Sequence, residues 1–158
     1  MIGPGRCDRD TKERAYAIGA GLAKAGLTVV TGGELGAMEA ASRGAKEAGG
    51  LAVGLLPGLD RSRANEYADV TLVTGIGHAR NLAVVASADV VVAVGGGWGT
   101  LSEIGLAGVL GRPVVLVSGW RLEHDVDLPG EVHYARNAAE AVKTAARLAG
   151  VQADSQLP

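Results

Sequence analysis

Apolar and polar positions along this chain alternate between two periods. Short runs rich in valine and leucine read as strands at residues 27–31, 51–56, 70–73, 89–94 and 113–117. Between them lie stretches with helical spacing: about 10–25, then 37–48, 79–87, 100–110 and 135–149. Gly49-Gly50, Pro57-Gly58 and Gly111 punctuate the pattern, and the polar residues 59–68 read as a loop. Strands that alternate with helices across short connections predict an α/β fold with a mostly parallel sheet. The pattern shows no linker or repeat, so one domain is expected over 1–150, with 151–158 as a frayed tail. The start is unusual. Only Met1-Ile2 precede the turn Gly3-Pro4-Gly5, so the first strand is expected to be very short or truncated. A sheet missing that strand would be incomplete and open to pairing with another chain.

The chemistry concentrates where strands turn into helices. Three such junctions are rich in glycine: Gly3-Pro4-Gly5, Thr31-Gly32-Gly33 and Gly95-Gly96-Gly97. In a parallel sheet they share one edge, the carboxyl ends of the strands, where ligands of doubly wound folds bind. Glycines let backbone N–H groups approach a ligand closely, and a helix N-terminus adds partial positive charge. A phosphate, that of a nucleotide for instance, suits such a place. Tight turns are the plainer explanation, above all for Gly3 and Gly5.

Residues 95–103 read Gly-Gly-Gly-Trp-Gly-Thr-Leu-Ser-Glu. In this run Thr100 and Glu103 have the spacing of a capping box, with Glu103 reaching back to the backbone at Thr100. The alternative is a carboxylate beside an anion site, binding ribose hydroxyls or polarising a water. Arg80, entering a helix after Gly75-Ile76-Gly77-His78-Ala79, favours the second reading, because a cation in a first turn opposes the helix dipole. Its planar fork suits a phosphate, and a surface salt bridge is its ordinary alternative. Glu39 lies in another first turn at the same edge, where dipole complementarity explains it almost as well. Asn81 could orient a ligand or satisfy backbone, and Trp98 could stack on a base or cover apolar surface.

Composition narrows the function. Hydrophobic residues make up 47% and charged residues 20% of the 158, which marks a globular chain. A net charge of -2 gives no reason to expect nucleic acid. Cys7 is the single cysteine, which fits a reducing cytoplasm, and no apolar run reaches membrane-spanning length. His78, His124 and His133 lack metal spacing, so neither a metal nor a resident cofactor is expected. The strand at 27–31 ends in Thr31-Gly32-Gly33, not near a ribose-gripping acid, and no Gly-x-x-x-x-Gly-Lys-Ser/Thr loop occurs. An NAD dehydrogenase or an ATPase is therefore not expected.

The ordered segments Thr31-Gly32-Gly33, Gly36-Ala37-Met38-Glu39-Ala40-Ala41-Ser42-Arg43-Gly44-Ala45, Ala79-Arg80-Asn81 and Gly96-Gly97-Trp98-Gly99-Thr100-Leu101-Ser102-Glu103 resemble the LOG-like (SLOG) superfamily. The resemblance runs from Gly3 to about Val117. It is greatest to the small bacterial branch with molybdenum-cofactor-carrier-like proteins. It implies a Rossmann-like three-layer fold and a homodimer or higher oligomer, built with helices such as 79–87 and 100–110. In the LONELY GUY branch, which releases a base from a nucleoside 5'-monophosphate, an arginine and the glutamate of Pro-Gly-Gly-x-Gly-Thr-x-x-Glu serve catalysis. Arg80 and Glu103 fall on these. Gly95 replaces the proline, Asn81 a lysine and Glu39 a glycine, departures that bear on substrate and on hydrolysis.

The resemblance thus implies a small phosphorylated ligand, a nucleoside monophosphate or a pterin cofactor. It would be held by Gly32, Gly33, Gly96, Gly97, Trp98, Gly99, Thr100, Glu39 and Asn81, with Arg80 and Glu103 as the catalytic pair of a phosphoribohydrolase. That activity is expected slightly ahead of a carrier or sensor. The superfamily's old label, lysine decarboxylase, does not suit this chain. Such chemistry needs an electron-sink cofactor on a lysine, and Lys12, Lys24, Lys46 and Lys143 all read as helix surface.

Overall fold

The computed structural model describes residues 1–123 and 130–151. His124 and the tail beyond Val151 lie outside the described residues. In chain order come α1 (Arg9–Lys24), β1 (Val29–Thr31), α2 (Ala37–Glu47), β2 (Ala52–Leu56), β3 (Val70–Val73), α3 (Arg80–Ala86), β4 (Val91–Val94), α4 (Trp98–Val109), β5 (Val114–Val117), β6 (Val132–Ala135) and α5 (Ala138–Leu148).

Strands β1, β2 and β3 pair in that order, as do β4, β5 and β6, and every pairing is parallel. The first two residues join the halves. Ile2 forms a parallel bridge with Ala93, donating to the Val92 carbonyl and accepting from the Val94 amide, while the Met1 amino group donates to the Val30 carbonyl. The spatial order is therefore β3-β2-β1, Met1–Ile2, β4-β5-β6. The expected short first strand is thus a dipeptide in the middle of the sheet, with a neighbour on each side.

Period-two alternation explains why β4 and β5 read as unbroken apolar runs. Val92, Val94, Val115 and Val117 face a core shared with Ile18 and Leu22 of α1, and with Ala141 and Ala145 of α5. Val91, Ala93, Val114 and Leu116 face the opposite way, onto Val84 and Val85 of α3 and Ile104 of α4. This is the Rossmann-like, three-layer α/β arrangement. Helices α1 and α2 approach closely because Gly19 sits on the Ala41 backbone and Gly44 on the Tyr16 backbone, where a Cβ would overlap.

Two local expectations fail. The segment at 135–149 was expected to be wholly helical, yet β6 ends at Ala135 and the helix begins at Ala138, capped by Asn137 accepting from the Glu140 amide. In β6 only Ala135 is buried, so the strand carried no strong apolar signal. Helix α4 starts at Trp98 with Gly97 as its N-cap, two residues before the expected start at Thr100. Thr100 is thus already inside the helix and cannot act as a cap. The capping-box account of Glu103 fails with it.

Candidate functional site

Four junctions meet at the carboxyl edge of the central strands. A cleft of about 320 Å³ opens there, lined by Gly3, Pro4 and Gly5 after the central dipeptide, Gly32 and Glu34 after β1, and Met38 in α2. His78, Arg80 and Asn81 line it from the entrance to α3, and Gly97, Gly99, Thr100 and Glu103 from the start of α4.

Arg80 is the first residue of α3 and only 6% exposed. It is no surface salt bridge. Its Nη2 donates to Glu34 Oε2 at 3.3 Å, and its Nε is buried without a hydrogen-bond partner. Burial lowers its pKa, and the charges of Glu103 and then Glu34 work against that. The guanidinium lies against Gly32, where a Cβ would overlap it. That contact gives Gly32 a specific reason to be glycine.

Glu103, one turn into α4, is 7% exposed. Burial raises its carboxyl pKa to about 7, with Arg80 and the Met1 amino group pulling the other way. A carboxyl poised near neutrality can hold or give a proton at working pH. The Thr100 hydroxyl, 2% exposed at the residue level, has no hydrogen-bond partner either. Among the described residues three buried side-chain polar atoms lack partners; two belong to this cleft, and the third is Arg112 Nε. Such orphans are costly, and a ligand is one way to satisfy them.

Of the residues expected at the site, Gly32, Arg80, Asn81, Gly97, Gly99, Thr100 and Glu103 line the cleft. Gly33, Glu39, Gly96 and Trp98 are not among its lining residues. Gly33 (φ 75°) packs on Gly54 of β2 and donates its amide to the Thr31 hydroxyl at 3.1 Å. Glu39 sits half-buried in the first turn of α2. Gly96 faces the Trp120 ring, and Trp98, 81% exposed, meets that ring with centroids 5.7 Å apart.

Glu34, Met38, His78 and Asn65 were not foreseen as parts of the site. Asn65, in the loop before β3, braces the Gly32–Gly36 turn from behind. Its Nδ2 donates to the carbonyls of Gly33 (3.0 Å) and Glu34 (3.1 Å). All four lysines are exposed, as the sequence implied, and none lines the cleft. Among the described residues no group of three or more His, Cys, Asp or Glu side chains is placed to hold a metal ion. No described helix is long and apolar enough to cross a membrane.

The molybdenum cofactor carrier protein of Chlamydomonas reinhardtii superposes with a TM-score of 0.84 at 35% identity, over 94% of this chain and 95% of that one. The molybdenum cofactor binding protein of Rippkaea orientalis gives a TM-score of 0.81 at 36% identity, over 90% of each chain. A cytokinin riboside 5'-monophosphate phosphoribohydrolase of Mycobacterium tuberculosis is 33% identical over 117 residues, 68% of this chain and 63% of that protein. The SLOG cluster4 family model matches residues 1–149, and with the glycine junctions gathered around Arg80 and Glu103, the chain belongs to that LOG-like family.

Proposed function

We propose that this protein binds a small phosphorylated ligand in the cleft and carries it without turning it over, the ligand being molybdenum cofactor or a closely related pterin phosphate. The single observation that carries the binding is Arg80, a buried cation with an unpartnered Nε where the glycine junctions meet. An anion there gains charge-assisted hydrogen bonds from the guanidinium and from backbone N–H groups. The carrier reading draws support from the two solved proteins that match nine-tenths or more of the chain. Gly32, Arg80, Asn81, Gly97, Gly99 and Thr100 would hold the phosphate end. Gly33, Gly96 and Glu39 would act indirectly, by shaping the turns and the start of α2, and Trp98 would cover the rim. A metal centre would reach the protein as part of the ligand and not as a resident ion.

Assembly as a homodimer or higher oligomer, in the cytoplasm and through the single 1–150 domain, belongs to this proposal. Leu82 on α3 and Val109 and Leu110 at the end of α4 are exposed apolar side chains that such assembly would cover.

Glu103 favours a second reading. A buried carboxyl with a pKa of about 7 beside Arg80 suits a phosphoribohydrolase that stabilises an oxocarbenium-like ribose or orients a water. One experiment separates the two. Purified protein is incubated with molybdopterin and with a panel of nucleoside 5'-monophosphates, following thermal stabilisation, free base and ribose 5-phosphate. The carrier reading expects stabilisation by the pterin and no base release. Base release that Glu103→Ala abolishes would overturn it in favour of the hydrolase.

A further inference from the structure

Arg80 already has an anion. Glu34 lines the same cleft, and its carboxylate takes the Arg80 Nη2 at 3.3 Å through a single long contact. The Glu34 side chain is 30% exposed, against 7% for that of Arg80. The backbone beneath Glu34 is fixed, because Asn65 ties down the carbonyls of both Gly33 and Glu34. The Asn65 backbone amide adds a third bond to this turn, its second to the Gly33 carbonyl, at 2.8 Å. The side chain can therefore swing outward while its backbone stays in place. Glu103 has no such freedom, being buried within α4.

We propose that Glu34 is a selectivity residue of the cleft: it occupies Arg80 until a dianionic phosphomonoester displaces it, and it holds its place against a monoanionic phosphodiester. This rests on the reading of the cleft as a phospho-ligand site. A tethered carboxylate competes at an effective concentration on the order of millimolar. A phosphodiester carries one negative charge, as Glu34 does, so the exchange on Arg80 gains little Coulomb energy. A phosphomonoester carries about -1.5 to -2 charges near pH 7 and three terminal acceptor oxygens. It therefore exceeds the carboxylate in charge, and its extra oxygens can take backbone N–H groups that Glu34 does not reach. A terminal phosphate enters; an internal one is turned away.

The test uses two probes that carry no base or pterin. Methyl phosphate and dimethyl phosphate are titrated by calorimetry at pH 7.5 into wild type, Glu34→Gln and Glu34→Asp, whose shorter arm cannot make the same contact. Thermal unfolding checks that each variant is folded. Wild type is expected to prefer methyl phosphate by about tenfold or more. Both variants should bind dimethyl phosphate several-fold more tightly and narrow the preference, and adding Arg80→Met to Glu34→Gln should erase that gain. If wild type binds methyl phosphate but the preference is the same in all three proteins, Glu34 has no selectivity role while the phospho-ligand reading stands. If neither probe binds any of them, that reading falls and this inference falls with it.

Discussion

Asn65 and Arg80 are buried to nearly the same degree, 4% and 6% exposed, yet their polar atoms are treated differently. The Asn65 side chain is satisfied on both ends: Nδ2 donates twice to the turn after β1, and Oδ1 accepts from the Tyr67 amide at 3.1 Å. Arg80 makes one long bond to Glu34 and leaves its Nε with nothing. Two buried polar groups therefore serve different ends. A satisfied network fixes geometry; an unsatisfied one keeps capacity for something yet to arrive. On this account Asn65 holds the turn so that Arg80 can present its charge.

The comparison predicts different losses. Asn65→Ala removes three side-chain hydrogen bonds and leaves the Glu34 carbonyl and Tyr67 amide without them. It should cost about 3 kcal/mol of stability, with urea unfolding midpoints as the readout. A loss below about 1 kcal/mol would mean that the turn does not depend on this brace.

Glu103 lines the same cleft as Arg80, and its effect depends on pH. Its folded pKa of about 7 lies above the ordinary glutamate value, so the native state binds more protons than the unfolded state between roughly pH 4.5 and 7. Stability therefore falls as pH rises through that window, and the full cost is present above it. Glu103→Gln should remove the dependence. From pH 5 to pH 8 wild type should lose on the order of 2 kcal/mol more than the variant, measured by denaturant titration at both values. Parallel behaviour of the two proteins would contradict the burial of a titrating carboxyl.

Much of this was legible in the sequence, for identifiable reasons. The central strands announced themselves because β4 and β5 are buried on both faces, leaving no polar position to interrupt the run. Glycines at the strand ends marked the edge where the cleft opens, and Arg80 drew attention by standing at the wrong end of a helix dipole. What escaped had weak or misleading local signals. β6 exposes most of its residues, and the start of α4 has a glycine cap where a threonine was available three residues later. Asn65 fell in the polar loop 59–68 and Glu34 carried no signal of its own, since the contacts that define them reach 31 or 32 and 46 positions along the chain. Nothing in a local window encodes such pairs.

The most direct measurement removes the unsatisfied cation itself. Arg80→Met keeps apolar bulk against Gly32 and takes away the charge and its orphaned donor. If Arg80 is retained for a ligand, unfolding stability at pH 7.5 should change by no more than about 1 kcal/mol, while methyl phosphate affinity falls at least tenfold, the worth of one charge-assisted hydrogen bond. A variant that loses several kcal/mol of stability yet binds methyl phosphate as wild type does would make Arg80 part of the architecture, like Asn65, and contradict the account.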